Sequence, residues 1–268
     1  MTDVERYLNI IGVPRNHPSL TFLEEIVKCH LASVPYENVS KLIRFHEHGA
    51  TIPAFAEFIA GLSKNTYGGT CFAQNIHLNH ILKELGFKSK PMASHRDGLL
   101  SHISLSVCID RSNYLVDVGI MSSVAGPYKL HPDSSFDTLV GNQRYVFLPA
   151  NDRENYSLEI YRDGKLIRSF QSSTEMITEN ELVAGIKKTF EPSALFMTTL
   201  CAHRAFEKYS IGVWNNRLYR VEGQNRMVRE LRNFSELEQA FENELELPNY
   251  PLEFALGLLE KSGVAKLF

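Results

Sequence analysis

The sequence predicts an α+β protein in which a helical first part precedes a strand-rich middle and a mixed tail. Three observations carry this reading. Apolar residues recur every three to four positions as far as Phe87, the period drops to two after Gly86, and helix and strand signals alternate again beyond Glu179. With 268 residues, 44% hydrophobic and 22% charged, the chain can bury a substantial core as one large domain or as two to three closely packed smaller ones.

Val4, Tyr7, Leu8 and Ile11 share one face of a first short helix, which Gly12 and Pro14 end. Ser19 or Thr21 caps a second helix, whose stripe of Leu23, Ile26, Val27 and Leu31 runs up to Pro35. The segment Val34-Pro35-Tyr36-Glu37-Asn38-Val39 breaks the periodicity, and another helix is expected around Pro53 to Leu62. Then Tyr67-Gly68-Gly69-Thr70-Cys71 runs into a helix marked by Ile76, Leu78, Ile81, Leu82 and Leu85 and stopped by Gly86. Thr70 is its expected N-cap and Cys71 lies in its first turn, where the helix dipole and unpaired N–H groups favour negative charge. The two glycines leave the sulfur without side-chain cover on that side.

Lys90 to Ser94 reads as a strand, and His102 to Ile109 alternates, with Ile103, Leu105, Val107 and Ile109 on one face and His102, Ser104, Ser106 and Cys108 on the other. Asp110-Arg111-Ser112-Asn113 is turn chemistry, and Tyr114 to Gly119 returns as the partner strand. Pairing Ile109 with Tyr114 builds one continuous apolar face and puts His102 and Asp117 on the other. It also places Asp117 opposite Ser106, ~13 Å along the strand from His102, so contact between the two requires a bulge, coiling or a bend near Gly119. Strands follow at Arg144–Leu148, Tyr156–Tyr161 and Leu166–Phe170, the last two joined by the turn Arg162-Asp163-Gly164-Lys165, in a barrel-like or sandwich-like section. Glu179 to Phe190 reads as helix, Ser193 to Thr199 as strand or loop, and Tyr209–Val213 with Leu218–Val221 as a hairpin across Asn215-Asn216-Arg217. Trp214 is a strand-end packing residue, and Glu236–Phe241 and Leu252–Leu259 are final helices.

A net charge of −3 gives no electrostatic grip on nucleic acid or an anionic membrane, and clusters such as Lys88-Ser89-Lys90 read as solvated surface. No apolar run approaches the ~20 residues of a membrane helix, and Met1-Thr2-Asp3-Val4-Glu5-Arg6 lacks a signal-like core, so a cytoplasmic location is the default expectation. Cys29, Cys71, Cys108 and Cys201 form no C-x-x-C pair, which argues against both a disulfide framework and a zinc knuckle. Neither His46/His48 nor His77/His80 has companion ligands at metal spacing; no metal is expected, and both pairs read as exposed polar positions.

Cys71, His102 and Asp117 follow in an order suited to a triad: a thiol at a helix start, an imidazole opening a strand and a carboxylate near the end of the next. In such a set the imidazole takes the thiol proton and the carboxylate orients the ring and steadies its charge. Cys29, Cys108 and Cys201 read as packing residues.

The surroundings resemble the arylamine N-acetyltransferases through four motifs: Tyr67-Gly68-Gly69-Thr70-Cys71, Val34-Pro35-Tyr36-Glu37-Asn38, His102-Ile103-Ser104-Leu105 and Val116-Asp117-Val118-Gly119. The Tyr7-Leu8 helix, Pro192-Ser193-Ala194-Leu195-Phe196 and Asn215-Asn216-Arg217-Leu218 extend the resemblance over nearly the whole chain. It implies a helical bundle carrying the cysteine (1–87), an antiparallel β-barrel carrying the histidine and aspartate (88–190) and an α/β lid (191–268), an architecture like that of triad cysteine proteases. It further implies acetyl-CoA as co-substrate, a ping-pong reaction through an acetyl-Cys71 thioester, and an arylamine, arylhydroxylamine or hydrazine acceptor in a pocket at Tyr36, Ser101, Ile120, Met121 and Phe196. The chain departs from the family pattern in three places. Tyr67 stands where arginine is usual, so Glu37 needs another partner; Ala73 replaces glutamate or glutamine; and Ile120-Met121-Ser122 replaces a Phe-Gly-rich loop. The altered loop after Asp117 keeps open an amide synthase, or another thioester-processing acyltransferase or hydrolase of the same architecture; a binding or regulatory module without turnover is a third reading, which the intact triad disfavours.

Overall fold

The structure, a computed structural model, describes residues 1–96, 98–121, 127–130, 134–149, 155–173, 175 and 177–268. The chain begins with α1 (Asp3–Ile11) and α2 (Leu20–Ser33), started by capping from Thr2 and Ser19 respectively. Next come the two-residue strand β1 (Tyr36–Glu37), α3 (Val39–His48), α4 (Phe55–Asn65) and α5 (Cys71–Glu84). Helix α3 carries Val39, Leu42 and Ile43 on one face, packed in the same core as Tyr36 and Cys71, a short stripe that directly follows the irregular Val34–Val39 segment and is passed over in the sequence for that reason.

Eight strands follow: β2 (Lys88–Arg96), β3 (Leu99–Ile109), β4 (Ser112–Val116), β5 (Tyr128–Lys129), β6 (Phe136–Val140), β7 (Gln143–Pro149), β8 (Asn155–Arg162) and β9 (Lys165–Ser173). They form one antiparallel sheet in the order β5-β4-β3-β2-β9-β8-β7-β6. The sheet is open rather than a closed barrel among the described residues, yet it curls. The Tyr128 ring on β5 lies 5.6 Å from that of Phe147 on β7, and Met92, Leu115, Tyr145, Leu158 and Phe170 fill the concave side. Ser122, the last residue of the Ile120-Met121-Ser122 segment, lies outside the described residues.

Helix α6 (Glu179–Lys188) leads to a 3₁₀ turn at Leu195–Met197, where strand or loop was expected. Strands β10 (Cys201–Ala205), β11 (Tyr209–Trp214), β12 (Arg217–Glu222) and β13 (Asn225–Glu230) then precede α7 (Phe234–Gln239), a π-helical turn at Ala240–Glu244, and α8 (Leu252–Lys261). The second sheet runs β1-β10-β11-β12-β13, so a strand from the helical part is recruited to it, with Tyr36 opposite His203. Asn38 locks that junction. Its Nδ2 donates to the carbonyls of Phe196 (2.9 Å) and Thr199 (2.6 Å), and its Oδ1 accepts from Cys201 N–H (2.8 Å).

The β3–β4 hairpin differs from the expected register by two residues. Leu105 faces Val116, Val107 faces Tyr114 and Ile109 faces Ser112, because the turn has only two residues, Asp110 (φ 47°) and Arg111 (φ 63°). Left-handed conformations at both positions belong to the tight I′ type, which favours Asn-Gly and is hidden in an Asp-Arg pair. A two-residue slip preserves the faces, so Leu105, Val107, Val116 and Val118 still join the core of α1, α2, α4 and α5. No helix among the described residues is long and apolar enough to cross a membrane.

His77 corrects the expectation of an exposed pair. It is buried, stacked on Phe58 at 4.5 Å, whereas His80 is exposed. Burial lowers the pKa of His77, His30 and His203 to about 4 in each case. Between pH 6.5 and 4 the unfolded chain therefore binds protons that the native state refuses, and stability present above pH 6.5 is lost on acidification. The urea midpoint is expected to fall from pH 7 to pH 5, and His77→Leu to make that fall shallower; a midpoint independent of pH over this range contradicts the burial of these rings as neutral groups.

Candidate active site

Helix α5 begins just after a close, glycine-dependent contact. A Cβ on Gly68 would stand 1.9 Å from the Pro35 carbonyl oxygen, so the turn packs directly on the backbone of the Tyr36 segment. Thr70 occupies the N-cap position in extended conformation, as expected, but its side chain makes no capping bond. Cys71, in the first turn, is 6% exposed.

One turn further along the same helix, Asn75 makes the connection that sequence reading missed. Its Nδ2 donates to Asp117 Oδ1 (2.9 Å) and to the Ile103 carbonyl (2.6 Å), and its Oδ1 accepts from Val118 N–H (3.2 Å). Asp117 Oδ1 also accepts from Gly119 N–H at 2.9 Å, which leaves Oδ2 for His102 Nε2 at 2.6 Å. His102 and Asp117 are each 6% exposed. The Cys71 side chain lies close enough to the imidazole to help raise its pKa. Gly119 permits this convergence: a Cβ there would stand 2.4 Å from Asn75 Nδ2 and 2.7 Å from Cys71 Cα. The structure thus brings Cys71, His102 and Asp117 together. It closes the expected ~13 Å gap by the two-residue register slip, worth ~6–7 Å along a strand, and by ending β4 at Val116 so that the chain bends through Asp117.

Electrostatically the site holds an imidazolium. Burial alone would lower the pKa of His102, but the charge of Asp117, its hydrogen bond and the nearby Cys71 sulfur outweigh it and push the group up to about 10. The Phe170 ring, 5.0 Å away, covers His102. By contrast, burial holds the Cys201 thiol well above its ordinary range and raises that of Cys29, as befits packing residues.

Of the other residues singled out, Tyr36 is buried in the same cluster as Cys71, with Phe196 and Met121 packed against that cluster and the Tyr36 and Phe196 rings 5.6 Å apart, edge to face. Ile120 turns instead into the core of the curled sheet, and the Ser101 hydroxyl donates to the Ser94 carbonyl at 3.1 Å. Glu37, for which the sequence required another partner than arginine, is fully buried and accepts from Ser40 N–H (2.9 Å), Ser40 Oγ (2.5 Å) and Gly69 N–H (2.8 Å). Burial raises its pKa against the opposing pull of these bonds. Tyr67 packs edge to face on Tyr250 at 5.6 Å. Among the described residues, no group of three or more His, Cys, Asp or Glu side chains is placed to hold a metal ion.

A thiol on an imidazole that is itself fixed by a three-fold hydrogen-bonded carboxylate is equipped for nucleophilic acyl chemistry. Comparison with known proteins agrees with that chemistry. A family model described as N-acetyltransferase matches residues 19–249. The chain is 35% identical to an arylamine N-acetyltransferase of Mycolicibacterium smegmatis over 129 residues, which is 44% of this chain and 46% of that protein. It is 29% identical to a proansamycin X synthase of Amycolatopsis mediterranei over 177 residues, 62% of this chain and 64% of that protein. The chain thus spans about half the length of the first of these relatives and under two thirds of the second. Among solved structures, the arylamine N-acetyltransferase of Mycobacterium abscessus superposes with a TM-score of 0.81 at 16% identity, covering 98% of this chain and 96% of that one. That of Mycobacterium marinum in complex with CoA superposes with a TM-score of 0.78 at 19% identity, covering 97% of each. Sharing the family's model over most of its length and its fold from end to end, the chain belongs to the arylamine N-acetyltransferase family.

Proposed function

We propose that the protein transfers an acetyl group from acetyl-CoA to an arylamine, arylhydroxylamine or hydrazine through a thioester on Cys71. The observation that carries this reading is the buried His102–Asp117 pair, 2.6 Å apart, meeting a cysteine at the start of α5. Asp117 keeps the imidazole charged and oriented, and Cys71 attacks the acyl carbon as the thiolate. The tetrahedral adduct collapses with loss of the CoA sulfur, which leaves as the thiol with the proton from His102. An amine nitrogen then attacks the acetyl-Cys71 carbonyl, His102 accepts the proton lost by nitrogen, and the amide departs as the Cys71 sulfur is released. Thioester exchange is nearly isoenergetic, whereas amide formation is downhill, so the second half-reaction sets the direction. Tyr36, Met121 and Phe196 supply an aromatic and apolar wall for a flat acceptor, whereas Ile120 belongs to the core of the curled sheet and Ser101 is bonded to the Ser94 carbonyl. A cytoplasmic setting agrees with a reduced thiol.

Incubation with acetyl-CoA followed by intact-mass measurement tests the first half. A single acetyl adduct is expected in the wild type and none in Cys71→Ala; absence of the adduct from the wild type contradicts the reading. Free CoA release that depends on added arylamine tests the second half, and adduct formation without such release contradicts acetyl transfer.

Asn75 is a positioning residue, since it reaches the reacting groups only through Asp117. Loss of its bond to a charged partner removes about 1.5–3 kcal/mol, so Asn75→Ala is expected to slow Cys71 acetylation roughly 10- to 100-fold in single turnover. The rate should also acquire a pH dependence near neutrality as His102 loses its fixed carboxylate. A folded Asn75→Ala protein with the wild-type rate and pH profile contradicts this role.

A further inference from the structure

A pocket of about 160 Å³ opens in the helical part, between α3, α4 and the turn that starts α5, and none of Tyr36, Met121 and Phe196 lines it. Its size matches the ~150 Å³ in which an apolar cavity holds one benzene ring. Ile43, Ile52, Phe58, Phe72 and Phe190 give it apolar walls. Tyr67 and Ala73, two of the positions at which the sequence departs from the pattern the resemblance implies, line it as well, so the pocket is shaped by residues particular to this chain.

One interior charge interrupts those walls. Lys41 is only 7% exposed, and its Nζ donates to Thr189 Oγ1 at 2.7 Å and lies 3.5 Å from the centroid of the Phe190 ring. Thr189 and Phe190 both line the pocket, which puts the ammonium group at its wall. The acids nearby are engaged elsewhere. Glu57 pairs with Arg44 at 3.2 Å, Glu47 lies 3.8 Å from His48, and Glu37 accepts from Ser40 and Gly69. Lys41 makes no ion pair among the described residues. An ammonium offers three donors, and one hydroxyl with one ring face meets only part of that capacity. Burial lowers its pKa to about 8, which still leaves it protonated at pH 7. A buried cation without a counter-charge is costly, and an anion brought to it removes that cost.

The turn ties the pocket to the chemistry. Gly68, Gly69, Thr70 and Ala73 line it, and Cys71 lies between the last two in the chain. Lys41 is within electrostatic reach of the Cys71 sulfur, so each charge favours the other. A carboxylate that neutralises Lys41 therefore withdraws a favourable cation from the thiolate.

We propose that this pocket is a regulatory site for a compact apolar carboxylate, a single ring or short branched chain with one carboxyl group, which pairs with Lys41 and lowers the reactivity of Cys71 from behind the turn. The proposal rests on Cys71 being the reactive thiol and not on which acyl group it carries or which acceptor takes it.

Isothermal titration of the wild-type chain with cyclohexanecarboxylate and with its neutral isostere cyclohexanecarboxamide tests the pocket. The carboxylate is expected to bind roughly tenfold tighter or more, and Lys41→Met, which keeps the apolar stem, to remove that preference while leaving carboxamide binding within about twofold. Ala73→Leu, which fills the pocket, is expected to weaken both compounds roughly tenfold. Alkylation of Cys71 by iodoacetamide, read by peptide mass mapping, is expected to slow roughly threefold or more at saturating carboxylate, but not with the carboxamide and not in Lys41→Met. Equal binding of the two compounds overturns the proposal, as does unchanged Cys71 alkylation at saturation. So does carboxylate binding that survives Lys41→Met and is displaced by aniline, which assigns it to the acceptor wall. Failure to form an acetyl adduct from acetyl-CoA while these results hold counts against acetyl transfer and leaves the regulatory site standing.

Discussion

The site depends on one buried hydrogen bond, from His102 Nε2 to Asp117 Oδ2 at 2.6 Å. Without the carboxylate, burial would drive the imidazole toward its neutral form; with it, the ring carries a proton at neutral pH. A carboxylate so enclosed needs its remaining oxygen satisfied, and Asn75 and Gly119 do this. Asn75 and Cys71 share helix α5, four residues and about one turn apart, so a single rigid element positions both the sulfur and the support for the acid. The charge relation and the geometry are thereby fixed together.

The same helix start organises the approach to the sulfur. The Gly68 backbone seats against Pro35, Glu37 accepts from Gly69 and Ser40, and β1 adds Tyr36 to the second sheet opposite His203. With Tyr67 where the resemblance implies arginine, the surroundings are satisfied locally: Glu37 has three donors, and the tyrosine packs against Tyr250, whose hydroxyl donates to the Thr66 carbonyl. What changes is charge. A buried carboxylate without a cation has its pKa raised, and the loop bearing Tyr36 is held by hydrogen bonds and not by an ion pair.

The helices with a full apolar stripe, the long β3 strand and the order Cys71, His102, Asp117 were legible because periodicity and motif spacing encode them directly. Strands β1, β10 and the wholly exposed β13 were not, since a short or unpatterned segment takes its structure from the sheet it joins, and α3 was passed over despite the Val39, Leu42 and Ile43 stripe. The hairpin register was illegible for a different reason. A slip of two residues leaves every side chain on its own face, so hydrophobic pattern cannot distinguish the registers and only the backbone of Asp110 and Arg111 decides. That slip is what lets His102 and Asp117 meet. Asn75 was in view all along, at i+4 from Cys71, but an asparagine on a helix carries no signal until its partners are known. His77 shows the converse, a polar residue whose burial against Phe58 no spacing announces.

The central claim is that Asp117 holds His102 as an imidazolium in the resting protein. Imidazole ¹⁵N and ¹³C chemical shifts, assigned to His102 by comparison with His102→Gln and followed across pH, test it most directly. The expected result is a ring that stays doubly protonated through pH 8 and loses its proton only toward the value of about 10. A His102 titration centred near the ordinary histidine value of about 6.5 would contradict the account.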